Sequence, residues 1–392
     1  MKKLIWPLLI LVTLTGCAQL QPLSAAKPAD SKPDVTTLLN HAHFVPQNVP
    51  KSSELFLLSE EVKEEFLAYF TQRQNLNQRA DHILADYLTA KLGQFRYDGQ
   101  TLMARESLQQ QQGNCISLAI LTQALANLIA LETSFTEVSS APVYFMDNNT
   151  LLISNHFKTK LFAPFDPNDK SGLTRSAIVI DYFPQIDNVF VGSATLSDLI
   201  TKFYANRSVD ALLDKRYDLS YSLLLQAFHF SPNDPELINL AAILHRRIGD
   251  TKTEQQLYDF ALTHQLISHN LLANLLQTLD PNTDHEKITQ VQQLRETTVK
   301  SPIEWLLMAK DNLRESKLSK AKTQLLHFIE RAPYMPEGYV ELAKVSYLQG
   351  KMSESKRFLQ TAQEKTSHTD SKKIAMIAAK QQALAAQMRL EN

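Results

Sequence analysis

Three residues whose types could perform chemistry follow one another along the chain: Cys115 in "GNCISLAILTQAL", His156 in "LLISNHFKTKLF" and Asp181 in "AIVIDYFP". A thiolate, an imidazole and a carboxylate in reach of one another perform acyl transfer. The sulfur attacks a carbonyl, the histidine moves the proton, and the carboxylate orients the imidazole. Cys115 stands at the head of an apolar helical run, where unpaired amides stabilise negative charge and favour the thiolate. Order along the chain is weak support, because eleven histidines and 41 acidic residues always supply some such trio. A free cysteine also packs as a small hydrophobe, so the position leaves both a nucleophile and a core residue open.

The elements that would mount these groups can be read from periodicity. "SSELFLLSEEVKEEFLAYFTQ" and "RADHILADYLTAKLGQF" carry apolar residues at helical spacing, and a third helical run covers Leu102 to Gln110. From Ile116 to Leu131 the residues are mostly aliphatic or alanine, as in a helix buried on most sides. The character then changes to strands, "TSFTEVSS", "PVYFMD", "TLLISNHFKTKLF" and "AIVIDYFP", separated by turn formers; they predict an antiparallel sheet. Alternation sets His156 on the side of Leu152, Ser154, Lys158 and Lys160, opposite Ile153, Asn155 and Phe157.

The first residues predict a compartment. Met1-Lys2-Lys3, an apolar stretch from Leu4 to Leu14 and then Thr15-Gly16-Cys17 read as a secretion signal, too short to span a bilayer. "LTGC" resembles the lipobox of bacterial lipoproteins. The resemblance implies cleavage before Cys17, acylation of Cys17 as a lipid anchor and, with Ala18 following, residence at the outer membrane facing the periplasm. Residues 18 to 50 are rich in Pro, Ala, Ser and polar residues without sustained period, the composition of a tether. With Cys17 lipidated, Cys115 has no intramolecular disulfide partner. Forty basic residues against 41 acidic ones give a formal net charge of −1, which sets nucleic acid aside as a partner. No glycine-rich phosphate loop and no histidine pair at zinc spacing occurs, His41 and His43 lying in the tether, so neither cofactor nor metal is expected.

The stretch "YDGQTLMARESLQQQQGNCISLAILTQALANLIALETSFTEVSS", with "NHF" and "VIDYFP" after it, resembles the transglutaminase-like cysteine-enzyme superfamily. The resemblance implies an α+β, papain/transglutaminase-like domain of helices plus antiparallel sheet. In it Cys115 is the nucleophile, His156 the general base and Asp181 the orienting carboxylate. Asp166 in "PFDPND" competes with Asp181, which is preferred because a strand holds an orienting group more rigidly than a turn. The family's oxyanion partner from an upstream aromatic or amide maps to Gln109, Gln112 or Tyr97, beside the backbone N–H of Cys115.

Beyond residue 195 the chain resembles tetratricopeptide repeats (TPR). Ala227 and Ala261 lie one period of 34 apart, with Pro232 closing a unit and Gly249 between two helices. Pro302, Trp305, Ala321 and Pro333 outline a second stretch, and Pro336, Tyr339, Leu342-Ala343, Gly350 and Ala362 a third, with 269 to 301 as a degenerate unit. Ser220, Glu254 and Ser355 stand where the repeat usually has a small alanine. The expected organisation is a signal peptide (1–16), a lipidated tether (17–50), the transglutaminase-like domain (51–195), an all-α TPR solenoid (196–369) and a capping helix (370–392). Three functions are compatible with it. One is a thiol enzyme, a cysteine protease or amidase or an acyltransferase at peptide or isopeptide amides, with the repeats docking a peptide or protein. Another is a non-catalytic repeat scaffold for envelope enzymes or assembly factors. A binding module for cell-wall peptides, using the same cleft without chemistry, is a third.

Overall fold

The computed structural model describes residues 34–97, 100–147, 150–165, 175–182, 189–296, 302–333 and 335–367. Cys17, Asp166 and the expected capping helix fall outside them.

Helix α1 (Glu60–Gln74) opens on Ser59, whose hydroxyl accepts from Val62 N, and α2 (Ala80–Lys91) follows. A two-residue parallel ladder joins β1 (Arg96–Tyr97) to β2 (Gln112–Gly113) and brackets α3 (Ala104–Gln110). Helix α4 (Cys115–Leu128) is buried at every residue from Cys115 to Ala126, the outcome expected of an aliphatic run without a polar face. The sheet comprises β3 (Thr133–Asp147), β4 (Thr150–Phe162), β5 (Ala177–Ile180) and β6 (Val189–Ala194), ordered β5-β4-β3-β6 and antiparallel throughout. The two strands read separately as "TSFTEVSS" and "PVYFMD" are one, β3, whose register against β4 shifts between Val138 and Val143. β6 was not legible in the sequence. Phe157, Thr159 and Leu161 of β4 are buried while Lys158 and Lys160 are half-buried, the alternation a one-sided sheet requires.

Among the described residues ten helices follow: α5 (Leu196–Leu213), α6 (Tyr217–Phe230), α7 (Pro235–Arg247), α8 (Thr251–Thr263), α9 (His269–Leu276), α10 (His285–Glu296), α11 (Pro302–Arg314), α12 (Leu318–Arg331), α13 (Pro336–Leu348) and α14 (Met352–Ser367). Proline opens α7 and α13 at a position where a helix N–H has no partner to lose. In three of the pairs, a small residue on the first helix is followed by another twelve places on, at the crossing. Ser208 and Ser220 exchange hydroxyl and carbonyl hydrogen bonds, and Ser355 Oγ donates to Ala343 O at 2.9 Å. Ala309 and Ala321 are both fully buried. These are the close crossings of a TPR-like solenoid, and serine fits them because its hydroxyl is satisfied by the facing backbone.

The apolar cores do not divide at residue 195. One continuous core runs from Val35 through α4, the sheet and α5–α9 to Val291, and a second joins Ala273 of α9 to α11–α13, with Phe358 of α14 packed against it. Two first helices of the leading pairs face the sheet: α5 meets β3 and β6, and α9 meets β4. There Lys202 Nζ lies 3.4 Å from Glu137 of β3, and Asn270 Nδ2 donates to Glu236 Oε2 at 2.8 Å. Lys202, Glu236 and Asn270 are spaced 34 residues apart, so the repeat period itself lays a polar ladder under the sheet.

The segment expected as tether differs from Asp34 onward. Val35, Leu39 and Phe44 are buried, and the chain passes over the repeats: Val45 N donates to Asp218 Oδ1 at 3.0 Å, Gln47 N to Ser222 Oγ at 2.9 Å, and Tyr204 Oη to Pro50 O at 2.7 Å. Three widely spaced anchors produce no sequence period, which is why composition alone reads as linker.

Candidate thiol site

The start of α4 is over-determined. Asn114 Oδ1 accepts from Ser117 N at 3.0 Å, and its amide donates to Thr101 Oγ1 at 2.7 Å. Ser117 Oγ accepts from Leu102 N at 2.8 Å and donates to Gln100 O at 2.9 Å. Gly113 is required by contact: a Cβ there would come within 2.7 Å of Ser117 Cβ and 2.9 Å of its Oγ, at a φ of +153°. The sequence "GNC" therefore encodes a fixed helix start, with Cys115 as the first helical residue. The thiol is 3% exposed.

Tyr182 crosses the same region. Its hydroxyl lies 2.7 Å from Thr122 Oγ1 of α4 and 2.7 Å from Thr159 Oγ1 of β4. Thr122 already donates to Leu118 O, so it accepts from Tyr182, which in turn accepts from Thr159. Burial raises the Tyr182 pKa, the threonine hydrogen bonds oppose this, and the nearby Cys115 thiol and Asp181 carboxylate raise it further. The tyrosine thus ties the segment after β5 to α4 and β4, while the Asp181 side chain pairs with Lys158. Sequence reasoning passed over it, although it directly follows Asp181.

Asp181 follows β5 and forms an ion pair with Lys158, Oδ2 to Nζ 2.7 Å, on the side of β4 opposite Phe157. His156 pairs through its backbone register with Val138. Its side chain, like that of Tyr97, lies outside the described set; Tyr97 pairs with Gly113 along β1–β2. Gln109 is exposed on α3. Gln112 is buried, its Oε1 accepting from Arg96 and its Nε2 donating to Gln110 Oε1 at 2.9 Å, so its amide is engaged in holding the loop. Among the described residues no group of three or more His, Cys, Asp or Glu could hold a metal ion, and no helix is long and apolar enough to cross a membrane. An open cleft of about 400 Å³ lies between α8 and α10, lined by Asp259, Leu262, Thr263, Glu286, Lys287 and Gln290, away from the thiol.

No protein-family model and no curated protein matches the chain. Among solved structures it is similar to the MamA 41-end protein from Desulfovibrio magneticus RS-1, at 14% identity and a TM-score of 0.32, over 44% of this chain and 98% of that one. Pseudomonas aeruginosa PilF is similar at 14% identity and a TM-score of 0.37, over 50% and 92%. YrrB, described as a TPR protein with an unusual peptide-binding site, is similar at 12% identity and a TM-score of 0.30, over 46% and 91%. The TPR-like reading of α5–α14 rests on the helix pairs themselves.

Proposed function

We propose that the protein is a repeat scaffold of the cell envelope, anchored through Cys17 at the outer membrane, that docks a protein or peptide partner on α11–α14. The supporting observation is how the repeats are used. The leading pairs are occupied by the chain's own sheet, whereas the trailing pairs have a separate core and exposed apolar residues. Val340 and Tyr347 form one i, i+7 stripe on α13, and Met352 and Leu359 another on α14, each at least 46% exposed. Such stripes suit a partner segment with apolar side chains. Tyr347→Asp combined with Leu348→Asp changes only exposed positions; it should abolish partner association and leave the circular dichroism spectrum unchanged. Association that survives the double substitution would refute this face.

A second reading, acyl transfer at an amide by a transglutaminase-like site, is favoured by the mounting of Cys115 as the first residue of a rigidly capped helix. Cys115 would be the nucleophile, His156 the base and Asp181 the orienting group, with Asp166 the alternative carboxylate and Gln109, Gln112 or Tyr97 aiding the oxyanion. Water as acceptor makes the enzyme a protease or amidase; an amine makes it a cross-linking enzyme. Alkylation of Cys115 by iodoacetamide against pH decides: an apparent pKa well below ~8.5 that rises in His156→Ala supports the ion pair. A thiol that resists alkylation in the folded chain, or ignores His156, leaves a packed cysteine and the scaffold alone.

A further inference from the structure

The docked segment 34–50 converges with the repeats on one charged centre. Asp250, the residue capping α8, receives Asn40 Nδ2 at 3.2 Å and Thr253 N at 3.1 Å, and stands 3.5 Å from His43 Nε2 and 3.3 Å from His245 Nδ1. His245, in the last turn of α7, is fully buried, and neither ring nitrogen makes a hydrogen bond. Its ring is closed in by Phe44 of the segment, edge-on at 5.4 Å, and by Tyr221 of α6, edge-on at 6.2 Å. Phe44 in turn stacks on Tyr221 at 3.9 Å, and Tyr221 Oη lies 2.7 Å from His41 Nδ1. The other charged groups at this contact are engaged: Asp218 of α6 accepts from Val45 N, and Arg246 of α7 lies 3.3 Å from Glu254 of α8.

We propose that residues 34–50 are a strap released by acidification, with His245 as the proton sensor and the aromatic slot between Tyr221 and His245 as the surface that release uncovers. The inference is independent of any chemistry at Cys115. A proton added to His245 creates a cation in a ring-lined site. Lifting Phe44 away lets that cation reach water.

The electrostatics agree in direction. Burial pushes the His245 pKa down, Asp250 pulls it back up in part, and His43 and His41 lower it again, with a net fall. Burial raises the Asp250 pKa, but hydrogen bonds from Thr253 and Asn40 and the nearby His245 outweigh it and bring it down to about 2, so it stays ionised wherever histidine titrates. A histidine whose pKa is lowered in the strapped state holds the strap fully above its ordinary value of ~6.5, and the hold is lost as pH falls below it. The loss is at most about tenfold per pH unit, giving a ceiling of about 30-fold at pH ~5. The His43 side chain, 3.5 Å from Asp250, is 49% exposed.

Hydrogen exchange of the full chain, corrected for the intrinsic pH dependence of exchange, tests the strap at the amides of Val45 and Gln47. Protection there should fall, by up to about 30-fold, between pH ~7.5 and pH ~5 while α12 and α13 keep theirs. His245→Gln should remove the dependence. Constant protection, a fall shared equally by α12 and α13, or an unchanged fall in His245→Gln would overturn the proposal. Should His245→Gln not fold, His245→Phe carries the test, keeping a ring in the site without a titrating nitrogen, and a fall in protection that persists in that variant overturns the proposal.

Discussion

Glu254→Gln probes the one crossing in the solenoid where a charge replaces a small residue. Ser220 and Ser355, at the equivalent places, satisfy their hydroxyls against facing backbone, but Glu254 is 3% exposed with Oε1 making no hydrogen bond. Arg246 Nη1 approaches to 3.3 Å without replacing the lost water. Burial raises the Glu254 pKa from its ordinary 4.5 to about 7, against the opposing pull of Arg246. A carboxyl whose pKa is raised on folding holds its proton more tightly in the native state. Its penalty is therefore absent below the ordinary pKa, grows as pH rises toward the folded value, and is constant above it. At about 1.4 kcal/mol per unit, the charged form costs on the order of 2–3 kcal/mol at pH ~8 and under about 1 kcal/mol at pH ~5. Glutamine keeps the shape without the charge. Urea unfolding followed by circular dichroism should show Glu254→Gln more stable than the parent by about 2 kcal/mol at pH ~8, with most of the gain gone at pH ~5. An equal effect at both pH values, or destabilisation at pH ~8, would refute the reasoning.

Gly113→Ala forces a Cβ against Ser117 and should cost at least about 2 kcal/mol, seen as a lowered urea midpoint; an unchanged midpoint would show that the α4 start can yield. Lys202→Met leaves Glu137 and Glu236 without their shared cation beneath the sheet and should lose about 2–3 kcal/mol, whereas a neutral result in the same assay would mean the ladder is solvated. Asn114→Ala removes the α4 cap and the Thr101 hydrogen bond together and should cost about 1–2 kcal/mol by the same measurement; a loss near zero would shift the weight onto Ser117. Phe44→Ala should expose the amides of Val45 and Gln47 to exchange at every pH while α12 keeps its protection, and retained protection would assign the strap to its polar contacts instead.

How much of this was legible follows from where each signal is stored. The start of α4 is written locally, as glycine, a capping asparagine and a serine three residues on, and its burial is written in an aliphatic run. The repeat pairs were legible from prolines at helix starts and from Ala227 and Ala261, and the expected boundary at 196 coincides with the start of α5. The core crosses that boundary all the same, because contacts such as Lys202 with Glu137 join residues far apart in sequence and leave no local pattern. The strap was illegible for the same reason: Phe44 means nothing until Tyr221 and His245 are beside it. Of the site, Cys115 and Asp181 were picked out by type, whereas Tyr182, which joins α4 to β4, was passed over because its partners Thr122 and Thr159 are ordinary helix and strand residues.

The central claim, a free docking face on the trailing repeats, is tested most directly by a photo-crosslinking residue placed at Tyr347 in cells, beside the same residue at Lys63 on α1. The account expects a discrete adduct from position 347 that is absent from position 63 and is lost when Val340→Asp is added. No adduct at 347, or the same adduct from both positions, would contradict it.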